Sequence, residues 1–551
     1  MDSPTTQRPN KEFGRAWVKY HPSIWGDHFI AASPDSMQRL DAQKGRGEEL
    51  KVVVRSMFST VNDPLLKMNL IDAVQRLGVA YHFEIDIDKA LRQIHDDHIN
   101  GTDDGFDLQT LALQFRLLRQ QGYNVSSSVF TKFKDDEGNF SAILSSDTRG
   151  LLSLYEAAFL GIHGDDILDE AISFTTVHLK SALPHLSAPL TKLVELALEI
   201  PLHRRLERLQ TRSYISIYEE DEERNDVLLE FAKLEFHRLQ SLHQRDLRDI
   251  SLWWKEMDLA GKLPFTRDRV VEAYFWTTGV YFEPHYSRAR MIMTKMIAFA
   301  TVMDDTYDIY GTLEELELLT ATIERWDRGD MDQLPDCMKV FFIALLDEID
   351  AIEDELTGEG KSYRIYYLKE AIKDLAKAYL AEARWASSGY VPTSEEYMKV
   401  ALISAVYPML FIAFLIGMGE IVTKEVLEWA IHMPTIMRTC SIVARLMDDI
   451  PSSKLEQKRQ HVASAVECCM KEHGISYQES IQKLREEVAS GWKDINKECL
   501  KPTPVPTAVM NVILNFTRVL EIIYQHRDGY TDSSFETKER IILLFVDPIP
   551  L

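Results

Sequence analysis

Residues 291–308 read MIMTKMIAFATVMDDTYD, an oily run that ends in the carboxylates Asp304, Asp305 and Asp308. The run supports a helix ending at Asp308, which sets Asp304 and Asp308 four positions apart on one face. Carboxylates at the end of an apolar helix are costly to desolvate unless a cation sits beside them. Hard oxygen ligands at this spacing suit Mg²⁺, which takes one or two carboxylates and completes its shell with water and phosphate oxygens.

A second constellation lies downstream, in Asp448-Asp449-Ile450-Pro451-Ser452-Ser453-Lys454-Leu455-Glu456. Asp448, Ser452 and Glu456 fall at i, i+4 and i+8, again one helical face, and Arg445 borders it. Pro451 removes one helical hydrogen bond and is expected to bend the helix between Asp448 and Ser452. Upstream, Arg267-Asp268-Arg269 offers two guanidinium forks suited to bidentate phosphate contacts. Two oxygen-rich faces and three arginines describe a magnesium–diphosphate site. Aromatic and apolar stretches between them point to the ionisation of an oily diphosphate ester.

The spacing of Asp304 to Asp308 is weak evidence alone, because Asp103–Asp107 and Asp165–Asp169 match it too. The first follows Asn100-Gly101-Thr102 and reads as a loop. The second follows Gly164 and reads as a helix start, where carboxylates favour the dipole. Neither has an arginine loop or a second ligand helix.

The chain of 551 residues is long for one core, and two domains are expected. The divisions fall at 1–20, an N-terminal arm; 21–226, a helical domain without its own catalysis; and 227–551, the catalytic domain. The acidic run Glu219–Glu223 reads as a solvated connection just before the second boundary. Helical periodicity recurs throughout, as in Leu70-Ile71, Val74 and Leu77, and no sustained strand pattern appears. The fold class is all-α.

A net charge of −24 excludes nucleic acid as a partner and disfavours docking on an anionic membrane. The five cysteines form no CxxC pair, which reads as a reduced chain without zinc or disulfides. Met1 to Phe13 resembles neither a signal nor a transit peptide, so a cytoplasmic location is expected. Val400 to Gly419 carries no charge, but Pro408 divides it, and it reads as a buried core helix rather than stable membrane insertion. Within a helix over 396–418, Pro408 frees the carbonyl of Ser404, and that carbonyl or its neighbours must find another partner or point into a cavity, where it would aim a partial negative charge at whatever is bound. The glycine-bearing stretch Tyr524 to Ser534 is a candidate lid.

These motifs together resemble a plant class I terpene synthase of the sesquiterpene-forming kind. The resemblance spans nearly the whole chain. It adds Arg8, Pro9 and Phe13 (RPxxxF), His21 to Asp27 (HPSIWGD) and Asp528-Gly529-Tyr530 to the metal motifs, with Gly14 to Tyr20 as an insertion between the first two. It implies a C-terminal class I terpenoid synthase bundle, a relict N-terminal helical barrel and a monomer. It implies farnesyl diphosphate as substrate and three Mg²⁺ ions, with Mn²⁺ an alternative. The implied ligands are Asp304 and Asp308 for two ions and Asp448, Ser452 and Glu456 for the third, with Asp305 supporting. Arg267, Arg269 and Arg445 would take the diphosphate. Trp276, Tyr407, Tyr524, Asp528 and Tyr530, with the carbonyls of Ser404 to Val406, would surround the hydrocarbon chain. Rival readings are a monoterpene synthase acting on geranyl diphosphate, a chain-elongating prenyltransferase, and an inactive helical scaffold.

Overall fold

The computed structural model describes residues 20–31, 36–101, 105–329, 331–456 and 462–550, with 36–44 and 454–456 described by backbone alone. Arg8, Pro9, Phe13, residues 14–19, Asp103, Asp104 and the Glu456 side chain therefore lie outside the described residues. Every regular element among those described is helical, and extended backbone pairs at one isolated bridge, Lys134 to Phe140.

Helix starts follow the short polar residues that cap them. Asp63, Asp107 and Asp147 each accept a backbone N–H three residues on, at 2.9 Å. Asn225 caps Asp226–Met257 in the same way, at 3.0 Å. The acidic run Glu219–Glu223 lies in the short link between Glu207–Glu219 and that helix. The Asp165–Asp169 match serves the fold: Asp165 binds Ser127 at 2.6 Å and Arg119 at 3.2 Å, and Asp169 pairs with Lys493. One hydrophobic core runs continuously from Leu91 and Leu117 to Phe414 and Phe516.

The helix Ser287–Asp305 is central to the C-terminal half. It packs on Val270–Val280 and on Tyr407–Gly417, while Thr435–Glu456 packs on Thr507–Ile523. At one crossing the approach is so close that a Cβ on Gly417 would lie 2.4 Å from Ala289 Cα. Only glycine fits there, and the crossing fixes the axis of the helix that carries Asp304.

Two helical expectations change. The helix of Asp304 ends at Asp305, and Thr306–Tyr310 forms a π-helical turn. The oily stretch is not one helix over 396–418. It breaks into Ser394–Ser404 and Tyr407–Gly417, with Val406 between them at φ 72°. Pro408 thus sits in a first turn, where its missing N–H costs no intrahelical bond. Ser394–Gly417 is the one stretch of described helix apolar enough to cross a membrane, and 61% of its most apolar window is buried in the fold. Thr435–Glu456, by contrast, passes through Pro451 without a break.

Candidate active site

The helices of the C-terminal half enclose a cavity of 780 Å³. Each contributes one stripe of side chains. Ser287–Asp305 and the turn after it supply Ile297, Ala300, Thr301, Asp304 and Asp308, spaced three and four apart. Thr435–Glu456 supplies Ala444, Arg445, Asp448, Asp449 and Ser452. Both stripes start apolar and reach carboxylates further along, so the cavity has an oily floor and a charged rim.

At the rim, Arg267 is held from several sides. Its guanidinium pairs with Asp304 and, at 3.0 Å, with Asp305, and it donates to Thr531 Oγ1 at 2.9 Å. Burial works against this charge, yet Asp305 and Asp304 hold the guanidinium firmly protonated. Asp305 is fully buried and also accepts the Arg267 backbone N–H at 2.7 Å. Burial pushes its carboxyl up to about 7, and Arg267 keeps it from rising further. Asp305 therefore faces the arginine and lies outside the cavity lining, whereas Asp304 and Asp308 lie on it.

Across the rim, Arg445 pairs with Asp449 at 3.2 Å and Asp448 at 3.6 Å. Asp449 is fixed by Tyr397 Oη at 2.6 Å and the Ala465 N–H at 2.8 Å. Asp448 keeps more of its surface open, and the Ser452 hydroxyl beside it is buried without a hydrogen-bond partner. An orphaned hydroxyl next to a carboxylate fits a site that is completed by a cation. No three His, Cys, Asp or Glu side chains converge among the described residues. Each face instead offers one or two carboxylates, the donor set that Mg²⁺ supplements with water and phosphate.

Arg269 departs from expectation. It is 2% exposed, absent from the cavity lining, and bonded to the carbonyls of Thr531 at 3.0 Å and His21 at 3.1 Å. An arginine fork suits carbonyls as well as phosphates, and here the fold takes it. Asp528 lines the cavity but also accepts the N–H groups of Tyr530 and Thr531, at 3.0 and 2.9 Å, so it shapes the loop.

The floor is aromatic. Trp276 has the rings of Tyr530, Phe516, Tyr524 and Tyr407 around it, with centroids 5.7 to 6.4 Å away. The Tyr407 hydroxyl and Trp276 Nε1 are buried without hydrogen-bond partners. Ser404, Ala405 and Val406 also line the cavity at the helix break. Met409 N–H does not reach the Ala405 carbonyl and Pro408 has no N–H for Ser404, so both carbonyls accept no backbone bond across the break. Sequence reasoning missed Glu382, which lines the cavity with Tyr379, Ala383 and Ala386 and accepts the Ser404 hydroxyl at 2.5 Å. The small residues four positions to either side, Ala378 and Ala386, were the available signal.

A floor of π faces and unbonded carbonyls below two acid-and-arginine clusters belongs to one chemistry, and comparison with known proteins agrees. Residues 255–494 match the family described as "Terpene synthase family, metal binding domain", and residues 24–198 match "Terpene synthase, N-terminal domain". The chain belongs to the terpene synthase family. Terpene synthases are carbon–oxygen lyases acting on phosphates, and the matched metal-binding domain holds Asp304, Asp308, Arg445, Asp448 and Ser452. This terpene synthase is 88% identical to a beta-cubebene synthase from Magnolia grandiflora over the full length of both chains. It is 51% identical to a (−)-germacrene D synthase from Vitis vinifera, covering 98% of this chain and 97% of that one. A solved isoprene synthase from grey poplar, in complex with three Mg²⁺ ions and dimethylallyl-S-thiolodiphosphate, superposes with a TM-score of 0.87 at 37% identity. That match covers 94% of this chain and 99% of the poplar chain.

Proposed function

We propose that this terpene synthase is a sesquiterpene cyclase that converts farnesyl diphosphate to a cyclic C15 product and diphosphate. The observation that carries it is the polarity of the cavity. Its volume of 780 Å³ lies within the roughly 300–1,000 Å³ of small-molecule sites. Arginines and most of the carboxylates gather at the rim, where a diphosphate would sit, and aromatic rings dominate the floor, where the one carboxylate described, Glu382, is engaged by the Ser404 hydroxyl. The 88% identity to a beta-cubebene synthase supports a C15 substrate and makes β-cubebene the first product to look for.

Asp304 and Asp308 on one side, and Asp448, Ser452 and Glu456 on the other, would hold three Mg²⁺ ions, with Mn²⁺ as a substitute. Bound there, the ions supply positive charge against the leaving diphosphate. Arg445 and Arg267 add fixed charge at the same rim. Trp276, Tyr407, Tyr524 and Tyr530 then offer π faces to the allylic cation. The carbonyls of Ser404 and Ala405 would add partial negative charge from the backbone. Catalysis is assigned to residues 227–551, which among the described residues supply the whole cavity lining except Tyr20. The free cysteines, mostly buried, favour a reduced cytoplasmic setting, and the enzyme is expected to act as a monomer.

Gas chromatography–mass spectrometry of an incubation with farnesyl diphosphate and Mg²⁺ tests this reading. A cyclic C15 hydrocarbon is expected, with turnover falling at least ~100-fold on chelation and returning when Mg²⁺ is restored. Cyclic product from geranyl diphosphate alone would favour the monoterpene reading. No product from either, with no rise in melting temperature on adding Mg²⁺ and diphosphate, would mean a scaffold.

A further inference from the structure

Three side chains at the start of one helix each touch two segments that are far apart in sequence. The guanidinium of Arg267 lies 5.4 Å from the Tyr20 ring and 6.0 Å from the Tyr530 ring, besides its bond to Thr531. Arg269 donates to the His21 carbonyl and to the Thr531 carbonyl. Glu272 Oε1 accepts from Trp25 Nε1 at 3.0 Å and from the Ser533 hydroxyl at 2.7 Å. Each rung thus has at least one contact from 20–25 and at least one from 530–533. The two segments also meet directly at the solvent-facing pair His21 and Asp532, 3.7 Å apart.

We infer that Glu272 is a positioning residue that, with Arg267 and Arg269, fastens segment 20–31 to the 524–535 loop so that both cover the cavity as one unit. Glu272 is 1% exposed, and its second oxygen, Oε2, has no hydrogen-bond partner. Its stability in the fold therefore leans on Oε1 and on the two donors that meet there. If one segment lifts, Glu272 loses one of its two donors and Arg269 its bonds to that segment, both in a buried setting, and the other segment is held less well. Opening becomes cooperative although the two segments barely touch. The consequence for catalysis rests on the proposed cyclase reaction: a cover that opens all at once keeps water from the cation until the whole unit releases.

Hydrogen exchange on the full chain tests the fastening without reference to catalysis. Ser533→Ala removes no hydrogen bond to 20–31, yet exchange there should quicken at least 3-fold. Trp25→Phe should do the same to the 524–535 loop. Glu272→Leu should loosen both segments. Glu272→Gln keeps an acceptor oxygen, and because burial holds the Glu272 carboxyl above its ordinary range, the neutral amide should preserve most protection. With farnesyl diphosphate, Glu272→Leu should raise the share of water-captured C15 alcohol at least 3-fold and Glu272→Gln should not. Tyr274→Phe is the control on the same helix: it loses a buried bond to Asp246 at 3.0 Å and should lower the melting temperature while leaving exchange in both segments and the product mixture as in the parent. The inference is overturned if each variant loosens only its own segment, or if Tyr274→Phe shifts exchange and products as Glu272→Leu does. A parent enzyme that converts no farnesyl diphosphate would refute the proposed reaction, while the exchange data would still decide the fastening.

Discussion

Asp304→Ala turns over farnesyl diphosphate about 10³-fold more slowly than the parent and melts at the same temperature. The first half of that expectation follows from position. Asp304 and Asp308 are the carboxylates on their face of the cavity, so removing one halves the negative charge available to a cation there. The second half follows from exposure. The Asp304 side chain is 39% exposed, and Arg267 keeps Asp305 and Thr531 when Asp304 is lost. Initial rates at saturating Mg²⁺ and a thermal melt read the two effects separately. Wild-type turnover in this variant would remove the Asp304 face from the mechanism.

The neighbouring substitution should do the reverse to the fold. Asp305→Ala leaves Arg267, whose side chain is 12% exposed, without its fully buried partner, and strips the acceptor from the Arg267 backbone N–H. Breaking a buried pair from one side costs about 3–5 kcal/mol. Activity falls as well, because the arginine that should face the diphosphate loses its anchor. Asp305→Asn keeps the acceptor and should lie between the two in melting temperature. An Asp305→Ala protein as stable as the parent would mean that Asp304 alone secures the arginine.

Two adjacent aspartates thus divide function from support, and the sequence could announce only part of this. The i, i+4 spacing marked Asp304 and Asp308, and the second triad marked Asp448 and Ser452, because helical periodicity is written in sequence. The all-α class was legible for the same reason. Arg269 was not, since an arginine fork binds a carbonyl as readily as a phosphate and only packing decides which. Glu382 passed unnoticed as one carboxylate on an amphipathic helix. The break before Pro408 was hidden because the residue that turns left-handed is Val406, a β-branched side chain rarely found at positive φ. The π turn at Thr306–Tyr310 has no pattern of its own, and both acids around it still reach the cavity.

The break at Val406 also bears on how such an enzyme diversifies. The dipoles it offers to the cavity belong to the backbone of Ser404 and Ala405, so no side-chain replacement there deletes them. Substitutions at 404, 405 or 407 redraw the contour of the wall and, at 404 and 407, its hydroxyls, while the backbone dipoles are inherited unchanged. A descendant can therefore acquire a new carbon skeleton in few steps and still begin every reaction in the ancestral way.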